Sequence, residues 1–171
     1  MSDTYRHPAT NDDTEGFSGS KRSSGIVESI KSYPAKREKG RELTLAHLIE
    51  NFGLEGDFHA RVGGDRQVSI LLAEIRDMMT NQQGKGLCFS RFKENICIRG
   101  LAPGTLRSGT RLEAGEAVLE ITGETKHCHE ECILYETGKL CSLAGMNLFA
   151  KVVKGGLIHV GDGVSVLDEC R

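Results

Sequence analysis

The sequence predicts a mainly β fold: a closed or partly open β-barrel, or a sandwich, decorated by two or three short α-helices. Three observations carry this. From Leu87 onward apolar and polar residues alternate in short runs, the period of half-buried strands. Glycine turns at Gly100, Pro103-Gly104, Gly109 and Gly115 separate those runs. No repeating strand–helix–strand pattern is visible, which excludes a doubly wound parallel fold.

Taken in order, residues 1–24 are polar, with only Tyr5 and Phe17 as large apolar groups. Such a segment buries too little to offset its ordering entropy and reads as a disordered polar tail. Residues 25–171 then form a single domain. Gly25–Ile30 is a first strand. The stretch from Tyr33 to Arg41, carrying Lys36, Arg37, Lys39 and Arg41 just after Lys31, reads as a solvated loop or an anion-binding lip over a pocket. Leu45, Leu48, Ile49 and Phe52 fall at helical spacing before Gly53, which predicts a helix over 43–52. The tight turn Gly53-Leu54-Glu55-Gly56-Asp57 follows, with His59 just beyond. Val68, Leu71, Leu72, Ile75 and Met78 or Met79 form one apolar face of a second helix over Gln67–Met79, with Ser69 as its N-cap. Strands follow at Phe92–Ile98, Arg111–Glu113 and Ala117–Ile121. Phe149–Val153 and Leu157–Val160 read as a hairpin closed at Gly155-Gly156, and Val164–Leu167 as a last strand.

Composition narrows the function. The chain has 171 residues, 27% of them charged, with a formal net charge of -2. That balance argues against nucleic acid or an anionic membrane as the main partner. No run approaches the roughly 18 apolar residues of a membrane span, and no N-terminal signal peptide is present. Six cysteines raise the question of disulfides. A domain of this size does not need staples, and the spacing is uneven, so free thiols in a reducing cytoplasm are expected. Cys88, Cys97 and Cys170 read as packing residues.

The segment Glu124–Cys132 gathers two thiols, two imidazoles and three carboxylates within nine residues. Cys128, His129 and Cys132 could ligate zinc, with His127 or Cys141 completing the set. Alternatively Cys128 or Cys132 is a reactive thiolate, with Lys126 and the histidines lowering its pKa and Glu130 and Glu131 raising it. The residues alone leave both readings open.

The order of the motifs resembles the MOSC family, the domain found at the C-terminus of molybdenum cofactor sulfurases and as small stand-alone bacterial proteins. The resemblance covers about residues 25–167. It rests on Gly53-Leu54-Glu55-Gly56-Asp57 with His59, Arg66-Gln67-Val68-Ser69 with Glu74, and Glu94-Asn95-Ile96 with Gly100-Leu101. It continues through the glycine-punctuated run from Leu106 to Ile121, Cys128 seven residues later, Gly145–Val152 and Gly155–Asp162.

The resemblance implies a β-barrel that binds a molybdenum–pterin cofactor or receives sulfur for it, with Cys128 or Cys132 carrying a persulfide or ligating the metal. It implies cofactor binding by Arg66, Ser69, Asn95, Lys126, Asp57 and His59, with Asn95 meeting the pterin ring edges. It also implies a cysteine desulfurase or cofactor-biosynthesis protein as sulfur donor. Sulfurtransferase-like chemistry and a component of a molybdenum-dependent oxidoreductase both remain open as activities. A small zinc-binding or cofactor-delivery module is the alternative.

Overall fold

The computed structural model describes residues 24–81, 86–102, 104–123, 129–138, 141, 143 and 146–167. Residues 1–23 of the polar tail, Lys126, His127, Cys128 and Cys170 lie outside the described residues. Eleven strands and three helices follow one another as β1 (Ser24–Ser32), β2 (Arg41–Leu43), β3 (Leu45–Ile49), β4 (Gly53–Leu54), β5 (Val68–Leu72), α1 (Ala73–Asn81), α2 (Cys88–Arg91), β6 (Ile96–Arg99), β7 (Arg111–Ala114), β8 (Ala117–Ile121), α3 (Ile133–Glu136), β9 (Leu148–Lys154), β10 (Gly156–His159) and β11 (Gly163–Leu167).

Seven strands close on themselves in the order β1-β11-β7-β8-β9-β5-β6, with β6 returning to β1. Closure removes the open edges of that sheet. β2 pairs with the outer end of β1, and β3, β4 and β10 form a small second sheet. Alternation sets the inside of the barrel: β7 reads exposed, buried, exposed, buried, and β8 buries Ala117, Leu119 and Ile121. Val27, Ile30, Ile70, Ile96, Ile98, Leu112 and Val164 complete the interior. Each fully buried Leu or Ile contributes roughly 1.5–3 kcal/mol.

The predicted barrel with short helices is therefore present, and three local expectations are corrected. The segment expected as a helix over 43–52 instead forms the end of β2, then β3 and a turn. Its period is two, with Ala46 and Leu48 inward and Leu45 outward. Pairing of Leu45–Leu48 with β10 decides the matter over a helical spacing that only four residues supported. Ser69 is not an N-cap. All five residues of β5 are buried, because this strand is covered on both faces, and a continuous apolar run of that kind has no diagnostic period. The helix starts four residues later, at Ala73. Finally, β9 and β10 do not form a hairpin. β9 pairs with β5 and β8, whereas β10 crosses to β3. Gly155 sits at that crossing, where a Cβ would lie 2.8 Å from the Leu48 carbonyl oxygen.

One strand–helix–strand unit does occur. β5 and β6 pair in parallel, joined through α1 and α2, while all other pairings are antiparallel. This unit brings Ser69 beside Asn95, with Asn95 N donating to Ser69 O at 2.9 Å. That juxtaposition founds the site.

Candidate functional site

The Gly53–Asp57 turn exists to aim Asp57 inward. Gly53 has φ +124°, and a Cβ there would meet the Gln67 carbonyl at 2.5 Å. Only glycine fits both demands. The turn leaves Asp57 buried, with four donors around its carboxylate. Oδ2 accepts from Tyr33 N at 2.8 Å and Asn95 Nδ2 at 2.8 Å. Oδ1 accepts from His59 N at 2.8 Å and lies 3.1 Å from His59 Nδ1.

Asn95 continues this network. Its second amide proton goes to Lys31 O at 3.1 Å, and its Oδ1 accepts from Ser69 N at 3.0 Å and stands 2.9 Å from Ser69 Oγ. Ser69 Oγ is also 3.0 Å from Lys93 O, so its one proton serves one of these two acceptors. The Asn95 amide is thus fully used within the protein. Held in this way, Asn95 forms the floor of a cleft. Beneath it, the buried Glu94 carboxylate pairs with Arg76 and, at 3.3 Å, with Lys31.

Above this floor lie two neighbouring cavities. The narrow lobe, about 440 Å³, is lined by Phe58, His59, Arg61, Arg66, Ser69, Arg91, Lys93, Asn95 and Phe149. Four of these are cations and none is an acid. The Arg66 guanidinium stacks 5.1 Å from the Phe149 ring centre. The wide lobe, about 890 Å³, runs along the loop between β1 and β2 and includes Tyr33, Lys36, Arg37 and Lys39. His59, Arg91 and Lys93 line both lobes. The Asp57 contact at Nδ1 leaves His59 Nε2 for the cleft. His59 packs edge-on to Phe58, with ring centres 5.5 Å apart, and to Tyr33 at 6.4 Å. A concave, cation-lined cavity with aromatic walls on a chain of net charge -2 suits a planar anion.

Of the sequence-derived residues, Arg66, Ser69, Asn95 and His59 meet at the narrow lobe, with Asp57 supporting it. Lys36, Arg37 and Lys39 line the wide lobe, as the anion-binding-lip reading requires. Arg61, Arg91, Lys93 and Phe58 complete the cleft with no motif to mark them, and Phe149 joins them from the Gly145–Val152 segment. Lys93 could have been found, since it immediately precedes Glu94-Asn95.

The described cysteines lie elsewhere. Cys88, Cys97, Cys132 and Cys141 form no disulfide among the described residues. Cys132 starts α3 and lines neither lobe. Its sulfur closes no formal cap hydrogen bond, yet the Leu87 amide, then those of Leu134 and Tyr135, hold its pKa below that of an ordinary thiol. Burial and Glu136 act in the opposite direction. Cys97 differs: burial, followed by Glu28 and Glu94, pushes it up to about 11. His129 O accepts from Cys132 N at 3.0 Å, and among the described residues no three His, Cys, Asp or Glu side chains gather as a metal set. No helix among the described residues is long and apolar enough to cross a membrane.

A family model described as the MOSC domain matches residues 55–165. Three solved structures share the fold. YuaD from Bacillus subtilis has a TM-score of 0.65 at 20% identity, over 85% of this chain and 97% of that one. YiiM from Geobacillus stearothermophilus has a TM-score of 0.58 at 16% identity, over 85% and 75%. YiiM from Escherichia coli has a TM-score of 0.52 at 16% identity, over 86% and 70%. No curated protein matches the sequence.

Proposed function

The chain belongs to the MOSC domain family, and from that premise we propose that it binds a molybdenum–pterin cofactor in the narrow lobe and carries sulfur on a cysteine. MOSC domains are linked to molybdenum cofactor binding or sulfuration. The observation that supports this chain's share in it is the cluster of Arg61, Arg66, Arg91 and Lys93 over the Asp57–Asn95–Ser69 floor.

The donor set fits the cofactor's anionic, planar part. Arg66, its guanidinium carbon 5.1 Å from the Phe149 ring centre, carries the planar fork that suits a bidentate contact with a phosphate. Arg61 and Arg91 supply further charge, and Lys93 acts as a point charge at the junction of the lobes. His59, with Nδ1 turned to Asp57, offers Nε2 to accept or donate a proton at the cleft wall. Phe58 and Phe149 are the aromatic lining residues that would meet the ligand's flat face. When bound, the cofactor supplies two-electron redox chemistry at a soft metal, for which a thiolate is a suitable ligand.

The sulfur-carrying role falls to Cys128 or Cys132. A lowered pKa favours Cys132 as a nucleophile. In that step the thiolate attacks the outer sulfur of a donor persulfide. A new sulfur–sulfur bond forms, the donor's own breaks, and the donor leaves as a thiolate. A cysteine desulfurase fits as donor, and free thiols suit the reducing cytoplasm.

Mass spectrometry after incubation with a cysteine desulfurase and labelled cysteine tests this reading, together with pterin and molybdenum analysis of the purified protein. The expected results are a 32-Da adduct on Cys128 or Cys132 and stoichiometric pterin. A protein with neither adduct nor pterin overturns it.

A further inference from the structure

The small sheet carries two histidines on one exposed face. In its register Leu45 lies opposite His159, and His47 opposite Leu157. Residues two apart on a strand share a face, so these four side chains form one patch, with His47 and His159 on its diagonal. Both imidazoles are about half exposed, at 48% and 54%. Ala46, Leu48 and Ile158 bury on the opposite face.

The pairing type brings the two rings within reach of each other. The backbone groups of these residues turn away from the gap between β3 and β10. His47 O accepts from Glu55 N at 3.0 Å, on the β4 side. Leu157 O accepts from Glu116 N at 3.0 Å, on the outer edge of β10. His159 N donates to Asp162 Oδ2 at 2.7 Å, and its carbonyl accepts from Asp162 N at 3.2 Å. The two pairs are therefore of the non-hydrogen-bonded kind, in which opposed side chains come closest. Diagonal neighbours in such a ladder stand about 7–8 Å apart, a span that two imidazoles bridge through one ion.

A carboxylate holds each ring from its outer side. His47 Nδ1 lies 3.2 Å from Glu55 Oε2, on the β4 side. His159 Nδ1 lies 3.5 Å from Asp162 Oδ2, on the outer side of β10. Nδ1 and Nε2 occupy opposite flanks of an imidazole, so turning each Nδ1 outward turns each Nε2 toward the other ring. A carboxylate on one nitrogen is also what fixes the tautomer and orientation of a metal-bound histidine.

We propose that His47 and His159 bind one divalent transition metal ion of the zinc or copper class through their Nε2 atoms, with Glu55 and Asp162 orienting the rings. Imidazole nitrogen suits that class of ion. Among the described residues no three His, Cys, Asp or Glu side chains converge, so the remaining coordination positions fall to water. An ion held in this way ties β3 to β10. None of these residues lines either lobe, and the site is independent of the cofactor reading.

Nuclear magnetic resonance of the histidine ring nitrogens in the full chain, titrated with zinc chloride at pH 7.5, tests this, because it locates the ion whatever the thiols bind. The His47 and His159 signals, assigned from the two alanine variants, are expected to shift together with one shared midpoint. His159→Ala should raise the zinc concentration at the His47 midpoint at least tenfold, and His47→Ala should do the same to His159. Glu55→Gln keeps both ligands and should raise the shared midpoint at least threefold. Separate midpoints for the two rings in the wild type, or a His47 midpoint that stays within twofold in His159→Ala, overturn the proposal. An unchanged midpoint in Glu55→Gln overturns the orienting role of the carboxylate.

Discussion

Asn95 and Ile96 are neighbours in the chain and both are buried, at 3% and 0% exposure, yet different physics holds them. Ile96 faces the barrel interior, where apolar area is removed from water and only volume matters. Asn95 forms part of the cleft floor, where its amide donors and acceptor are matched and pattern matters more than volume. The barrel therefore tolerates conservative change, and the floor does not. Function sits on the intolerant side because a floor that cannot rearrange keeps the cations above it in place.

Mutations at the two regions sharpen this contrast. Asp57→Ala removes the acceptor for Tyr33 N, Asn95 Nδ2 and His59 N together. It should cost roughly 3–5 kcal/mol, since each orphaned buried donor costs about 1–3. Chemical denaturation measures it, and a loss below 1 kcal/mol would mean that the network does not hold the fold. Leu119→Ala in the barrel should cost roughly 2–5 kcal/mol through its cavity, while Leu119→Met should cost under about 1.5 and leave ligand affinity unchanged.

Tyr33 connects the regions and gives the comparison a pH dependence. Burial, with Glu94 adding, raises its phenol to about 12. The folded state thus prefers the protonated phenol. Stability is fully present below the unfolded value near 10 and is lost as pH rises from there through about 12. Tyr33→Phe should flatten the alkaline limb of the unfolding curve between those values, measured as thermal midpoint against pH. An unchanged limb would place the phenol in water.

A smaller contrast sets Cys97 against Cys132, two buried thiols shifted in opposite directions. With a pKa near 11, Cys97 is about one part in ten thousand thiolate at pH 7. Cys132, facing three amides, carries more. Iodoacetamide at pH 7 should alkylate Cys132 at least tenfold faster than Cys97, as read by peptide mass spectrometry. Equal rates would remove the electrostatic basis for a reactive Cys132.

The barrel was legible because alternation and glycine turns are local signals, clear in Arg111–Ile121 and in the strand at Val164. Leu45–Ile49 and Val68–Leu72 were not. A strand whose outward residue is leucine, and a strand buried on both faces, lack the polar beat that reveals a period. In the cleft, Arg66, Ser69, Asn95 and His59 were legible through motif order. Their roles were not, because hydrogen-bond saturation at Asn95 depends on Lys31 and Asp57, 64 and 38 residues away. Arg61 and Arg91 carried no pattern at all. Only the fold brings these two, thirty residues apart, to one wall.

The central claim is that the cleft binds an anionic pterin through cations held over a rigid floor. Titration of wild type and Arg66→Ala with the purified molybdenum–pterin cofactor, alongside their thermal midpoints, tests it most directly. The account predicts at least tenfold weaker binding in Arg66→Ala with a midpoint within about 2 °C of wild type. Equal affinity in the two proteins would contradict it.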